Sequence, residues 1–302
     1  MLGELVAGIF RPVPSNAAPI LDSHTHAWQH WPYSPAVPDP DSRGRIEQLL
    51  REMDANGVEK AAVVCAAIEG NDDNVAYVAS TVERWPDRLH LFADLDCPWS
   101  ASYHRPGASG RLTALCDRYN LAGFTHYVDE QNDRWLASAE AFGVFTVAAE
   151  RDLVVSLAAG PSWQADLRRL ALAFPTVPVL CHHLAGLSAR QGPPSAAWRQ
   201  VLASADVPSV LVKASGFHYS SARSWDAPWP DVTGVLEALL KAFGAHRLCW
   251  GSDFPASTRY CTYRQSLEAV RSHCPFLAGP ELAMVLGGTL GHVLRTRRPP
   301  AA

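Results

Sequence analysis

The 302-residue sequence has no long run of lysine or arginine, no C-x-x-C pair, no apolar stretch near 20 residues, and no glycine-rich turn after its first strand-like segment. Each absence removes a class of function. With a formal net charge of -4 and no basic tract, the electrostatic footprint of a general nucleic-acid binder is missing. Spanning a bilayer takes about 20 consecutive apolar residues, whereas the longest apolar runs here resemble residues 61–68, so no membrane association is expected. Seven cysteines, scattered and odd in number, form neither a disulfide framework nor a zinc ribbon. Cys65, Cys181 and Cys249 lie in apolar strand-like runs and read as small core residues. The start of the chain lacks a basic region followed by an apolar segment and a small-residue cleavage site, which makes a cytoplasmic location the expectation.

What is present is a chain with 48% hydrophobic and 19% charged residues, enough to bury a large core. Short β-rich runs alternate with amphipathic stretches, the pattern of parallel βα units. Strands are predicted at 19–23, 61–67, 89–95, 122–127, 153–158, 177–182, 209–214 and 247–250. Helices are predicted at 45–56, 73–85, 135–148, 164–174 and 232–243, with Gly57 and Gly244 as stops after the first and last. Eight strands in strict alternation suit a closed (β/α)8 TIM barrel better than an open doubly wound sheet. The missing glycine fingerprint after the first strand points the same way. The expected organisation is an N-terminal arm at 1–18, one barrel domain at 19–296 and a tail at 297–302.

Three strand ends carry chemistry. In Asp22-Ser23-His24-Thr25-His26-Ala27-Trp28, alternate residues of an extended segment face one side, so both imidazoles point into one space. The bland alternative is a pair of polar loop residues. In Leu248-Cys249-Trp250-Gly251-Ser252-Asp253-Phe254-Pro255, an apolar strand ends in a carboxylate, and the mouth of a barrel is where catalysis occurs in this fold. Asp253 suits metal ligation or proton abstraction from water, against the plain role of a helix cap. In Val179-Leu180-Cys181-His182-His183-Leu184-Ala185-Gly186, adjacent strand residues face opposite sides, so one of His182 and His183 is expected inside and the other outside.

Together with Val212-Lys213-Ala214-Ser215-Gly216 on the seventh strand, these motifs resemble the amidohydrolase-related metal-dependent hydrolases. Within them the chain is most similar to the branch of 2-pyrone-4,6-dicarboxylate lactonase and the sugar-acid lactonases, over about Ile20 to Leu294. The resemblance implies that His183 is the inward histidine, that Asp253 acts as base toward water, and that the histidines polarise a carbonyl. It implies a divalent metal, zinc by ligand type, on His24, His26, His183 and Asp253. Where the decarboxylase branch carries a histidine on the fifth strand, this chain reads Leu153-Val154-Val155-Ser156-Leu157. The zinc site is therefore expected to be weak or empty. Where members of that family often carry an arginine after the fourth and seventh strands, this chain offers Thr125 with His126, and Tyr219 after His218, which argues against a dianionic substrate.

The expected function is hydrolysis of a lactone or related cyclic ester. Trp28, Tyr127, Lys213, His218 and Tyr219 are expected to bind the substrate, with Lys213 equally well placed to be an internal lysine held by a carboxylate. The rivals are a metal-dependent decarboxylase or hydratase of the same superfamily, and a catalytically silent ligand-binding barrel. The expected partner is a small molecule, with no nucleic acid and no membrane; a homo-oligomer stays open.

Overall fold

The computed structural model of the protein describes residues 18–193 and 195–295. All but the last residue of the expected arm, and the whole of the expected tail, lie outside those residues. Eight parallel strands pair in sequence order: β1 Ile20–Thr25, β2 Val58–Val64, β3 Leu89–Asp96, β4 Gly123–Tyr127, β5 Val154–Ala158, β6 Val179–Cys181, β7 Val210–Ala214 and β8 Leu248–Trp250. A parallel bridge from Thr25 to Phe254 joins the last strand's extension to the first. The Asp253 amide donates to the His24 carbonyl at 2.8 Å across the same seam. This is the (β/α)8 barrel that the alternating pattern predicts. Among the described residues no helix is long and apolar enough to cross a membrane.

The strands are apolar on both faces, as buried parallel strands must be. Inside the barrel, Leu21, Val64, Phe92, Ala122, Val154, Leu180, Leu211 and Cys249 form one cluster, closed at the base by Leu290 and Val293 of the helix Thr289–Arg295. A larger cluster fills the space between strands and helices. Cys65 and Cys181 belong to this outer layer and Cys249 to the inner one. Gly123 is where β4 passes closest to its neighbours: a Cβ there would sit 2.1 Å from the Val154 carbonyl oxygen and 2.6 Å from the Phe92 ring.

The inner apolar ring places the site. Side chains of a strand return to the same face every second residue. Two steps beyond Phe92, Val154, Leu180, Leu211 and Cys249 come Asp94, Ser156, His182, Lys213 and Gly251. The layer above the apolar ring is thus polar, at the end of the barrel where the strands finish. In β1 the register shifts between Asp22 and Thr25, an irregularity of the kind that re-aims side chains beside active sites.

Candidate active site at the mouth of the barrel

Asp253 is the centre of the site. It is buried, 1% exposed, and its φ of +59° puts it in the left-handed region, which is costly for residues other than glycine, asparagine and aspartate. Four imidazole Nε2 atoms surround its carboxylate. His26, His24 and His183 lie 3.4, 3.5 and 3.9 Å from Oδ1, and His218 lies 3.7 Å from Oδ2. Burial pushes the carboxyl upward, but His183, His26 and His218 outweigh that and pull it down to about 2. The group is an ionised carboxylate throughout the physiological range.

The histidines are held from behind. His26 donates from Nδ1 to the Val64 carbonyl at 2.7 Å and stacks on Trp28, ring centroids 4.9 Å apart. His24 has its Nδ1 2.9 Å from Lys213 Nζ, and His183 has its Nδ1 3.1 Å from Ser215 Oγ. Burial keeps His183 and His218 at about 4, and lowers His24 and His182 strongly. At neutral pH these rings are uncharged, the form in which imidazole ligates metals or donates one hydrogen bond. Glycine makes room for them. A Cβ at Gly251 would come within 2.8 Å of His24 Cβ, and one at Gly216, where φ is +62°, within 2.4 Å of His183 Nδ1.

The structure corrects the expectation for the sixth strand: both His182 and His183 face the interior. Their rings lie 4.3 and 4.7 Å from that of His24. His182 follows the alternation from Leu180 and meets Ser156 Oγ at 2.7 Å. His183 escapes the alternation because β6 ends at Cys181. The backbone then turns left-handed, with φ of +46°, +55° and +54° at His183, Leu184 and Ala185, and swings the second ring inward as well.

Of the expected substrate-facing residues, Tyr127 and Tyr219 line the mouth. The Tyr127 ring lies 5.5 Å from His182 and 5.3 Å from Trp99. Tyr219 is 48% exposed and lies 5.0 Å from His183. His218 is drawn into the centre beside Asp253. Trp28 is fully buried, its Nε1 donating to the Ala66 carbonyl, so it backs His26 from within. Lys213 is also fully buried, and its partners are the Ser156 hydroxyl and the His24 ring rather than a carboxylate. Burial pulls its ammonium down to about 7, opposed by Cys249, Asp22 and Asp253.

Three features escape sequence reasoning. Asp22 braces the two catalytic strand ends: its Oδ1 accepts from the amides of His24 and Ser252 at 3.0 and 2.9 Å, and its Oδ2 from Tyr263 Oη at 2.8 Å. Burial raises it to about 6. Asp94 reaches the polar layer from β3, its Oδ2 accepting from the Ala67 amide while Oδ1 is buried without a hydrogen bond. Arg259 follows β8 and stacks 4.0 Å over the Tyr33 ring, close enough to lower His218, so an arginine reaches the site from a strand end other than the fourth and seventh.

A metal test rests on the donor atoms. One ring nitrogen each of His24 and His26 and a carboxylate oxygen of Asp253 lie within 4.8 Å of one another, and the 3.4 to 3.9 Å separations of Nε2 atoms from Oδ1 are near the roughly 3.4 Å between ligands of a tetrahedral zinc at 2.0–2.1 Å. His26, with its Nδ1–H donated to a carbonyl, is oriented as zinc-bound histidines are. The residues fit a small divalent ion.

Comparisons with known proteins agree with this geometry. Residues 21–289 match the family described as Amidohydrolase. An L-fucono-1,5-lactonase of Burkholderia ambifaria is 25% identical over 92% of this chain and 96% of its own length. Among solved structures, an amidohydrolase of Burkholderia multivorans with bound zinc superposes with a TM-score of 0.71 at 19% identity, covering 92% of this chain and 99% of its own. A protein of Acinetobacter baumannii, named as a probable 2-pyrone-4,6-dicarboxylic acid hydrolase and holding citric acid, gives 0.72 at 17% identity, with 91% and 99% covered. At those identities the structures speak for the fold. The family match spans most of the chain and includes every strand-end residue named above, and the protein belongs to the amidohydrolase family.

Proposed function

We propose that the protein is a lactonase that opens a neutral, hydroxylated cyclic ester. The observation that carries this reading is the ionised Asp253 at the end of β8, ringed by four imidazoles whose Nε2 atoms face it. Asp253 takes a proton from water while the water oxygen bonds to the ester carbonyl carbon. The carbonyl electron pair moves onto oxygen, where imidazole N–H groups of the cluster, His24 and His183 among them, receive it. Collapse breaks the bond to the ring oxygen, and the proton on Asp253 passes to the leaving alkoxide. His26 offers its Nε2 lone pair to the second proton of the water, since its own proton is committed to Val64. Tyr127, His218 and Tyr219 form the wall against which the ring lies.

A divalent ion such as zinc would be held by His24, His26, His183 and Asp253, and in place of N–H donation from those nitrogens it would supply Lewis-acid polarisation of the carbonyl. The affinity expected for it is low, because β5 offers Ser156 where a further histidine ligand could stand, and that hydroxyl is already engaged by Lys213 and His182. The same substitution counts against a decarboxylase.

The similarity to an L-fucono-1,5-lactonase supports a neutral sugar lactone over a dicarboxylate. The test is a panel of aldono-1,5- and 1,4-lactones, 2-pyrone-4,6-dicarboxylate and hydroxybenzoates, followed by acid release and by carbon dioxide. Hydrolysis of neutral lactones without carbon dioxide is the expected outcome; carbon dioxide from the benzoates with every lactone untouched would reject the proposal.

A further inference from the structure

Native interiors leave few polar atoms without a partner, and each exception calls for a cause. At the mouth of this barrel two groups of buried polar atoms make no hydrogen bond among the described residues. One is the reaction centre itself, with His24 Nε2, His218 Nε2 and Asp253 Oδ2. The other lies on the strands opposite: Asp94 Oδ1 on β3, with Thr125 Oγ1 and Tyr127 Oη on β4. In a ring of eight strands paired in sequence order, β4 stands across the axis from β8, so the second group faces the first over the width of the mouth.

Register brings the second group together. Asp94 pairs with Thr125, and Tyr127, two residues further along, returns to the same face. Burial and the Asp94 carboxylate hold the Tyr127 phenol well above its ordinary range, so its oxygen keeps its hydrogen. Asp94 is braced from behind: its Oδ2 accepts from the Ala67 amide at 2.9 Å, and the Ala67 carbonyl accepts from Trp99 Nε1 at 2.9 Å. The Trp99 ring in turn lies 5.3 Å from Tyr127. Asp94 and Tyr127 are half-buried, open in part to the mouth. Between Tyr127 and His24 stands the His182 ring, 5.5 Å from the first and 4.3 Å from the second. A single six-membered ring lying over His182 meets both groups.

The group that pairs with both unpartnered oxygens is a hydroxyl, which donates and accepts at once. It donates to Asp94 Oδ1 and accepts from the Tyr127 hydroxyl. Burial raises Asp94 to about 7, and the match holds in either form, since a hydroxyl also accepts from a protonated carboxyl. A cation would leave the phenol hydrogen without an acceptor, and a carboxylate has no hydrogen to give to Oδ1.

We propose that Asp94 and Tyr127 form a recognition subsite for the ring hydroxyl farthest from the reacting carbonyl, and so select polyhydroxylated lactones over plain ones. With the carbonyl carbon at Asp253, the opposite ring atom of a 1,5-lactone is C4. The subsite supplies no chemistry. It fixes the ring so that the ester meets Asp253, and an analogue without that hydroxyl leaves two buried polar atoms unpaired. The substrate class rests on the lactonase reading above.

Two measurements separate the subsite from that reading. The first needs no turnover: 1,5-anhydro-L-fucitol and 1,5-anhydro-D-glucitol, rings with hydroxyls but no ester, are titrated calorimetrically into the full-length protein beside their 4-deoxy counterparts. At least one hydroxylated ring is expected to bind at least about tenfold more tightly than its counterpart, and Tyr127→Phe, which removes one oxygen and keeps the ring, to lose most of that difference. The second compares kcat/KM for an aldono-1,5-lactone and its 4-deoxy counterpart. The ratio is expected to be at least about a hundred in the parent and to fall at least about tenfold in Tyr127→Phe. It should fall in Asp94→Asn as well, which keeps an oxygen for the Ala67 amide but turns an NH2 toward the hydroxyl. A purely structural Asp94 would change both substrates alike and leave the ratio as it was. A parent that binds each pair equally or binds neither overturns the proposal, as do folded variants that keep both differences. If every lactone is refused while the binding difference and its loss in Tyr127→Phe are found, the lactonase reading falls and the subsite stands; if lactones are opened without regard to the C4 hydroxyl, the subsite falls and the reading stands.

Discussion

Replacing Asp253 with asparagine separates its chemical role from its structural one. The volume is nearly unchanged, and asparagine tolerates the left-handed backbone that Asp253 adopts at φ +59° better than alanine does, so the turn after β8 gains no new strain. The variant loses the negative charge of a carboxyl that the surrounding imidazoles pull below the ordinary aspartate range, to about 2. The sign follows from the depressed carboxylate: its contribution is complete above pH 4 and is lost as pH falls toward 2. A barrel of this size tolerates such a loss with a drop of some degrees in Tm. Catalysis is expected to suffer far more. A general base contributes roughly 10²- to 10⁴-fold, or about 3 to 5 kcal/mol of transition-state stabilisation. The assay is acid release from whichever lactone the parent opens, paired with circular dichroism and thermal melting to show that the variant is folded. A folded Asp253→Asn that keeps more than about a tenth of the parent rate would refute the role of base.

Three further outcomes are expected. His126, His183 and His218 are held by burial at about 3, 4 and 4, and His24 and His182 are lowered as well; the unfolded chain therefore takes up protons that the folded chain refuses, and stability should fall as pH drops from about 6.5 toward 4. Asp22 and Asp94, raised by burial to about 6 and 7, work in the opposite direction, but five rings outnumber two carboxyls, and a Tm that stays flat or rises across that window would show the argument wrong. Gly251→Ala drives a methyl to within 2.8 Å of His24 Cβ and should cost about 1 to 3 kcal/mol and about a hundredfold in kcat by shifting that ring; wild-type kinetics in a folded variant would show that the contact is absorbed elsewhere. Brief dialysis against a chelator should leave the protein free of zinc by elemental measurement, and a stoichiometric ion that survives prolonged chelation would contradict a weak site.

The barrel was readable because buried parallel strands are written as near-continuous apolar runs, and each of the eight predicted runs contains or overlaps a strand. The differences have local causes. β2 begins at Val58, earlier than the predicted 61, because the left-handed Gly57 ends the preceding helix and feeds directly into the sheet. The stretch expected as one helix at 135–148 is a 3-10 turn at Trp135–Ala137 followed by a helix at Ala139–Glu150. Ser138 separates them, its side chain accepting from the Ala141 amide, a cap concealed within an apolar run.

The site was legible where a single strand end carries its own signal, and illegible where meaning depends on register between strands. His24, His26 and Asp253 could be paired in advance, since an i, i+2 histidine pair and a carboxylate after an apolar run each announce a strand's last residues. The rule of alternation then misled at His182 and His183, because it holds only while the chain stays extended, and β6 is three residues long. Counting from Leu180 would have placed His182 inside; nothing local reveals that His183 follows it by turning left-handed. Asp22 looked like the first letter of a motif, yet it acts through Ser252 and Tyr263, 230 and 241 residues away in sequence. Lys213 shows the limit most sharply. A lysine two residues beyond Leu211 must point into the barrel, but whether it meets substrate, carboxylate or imidazole depends on where β1 and β5 place His24 and Ser156, and that relation exists only once the sheet has closed.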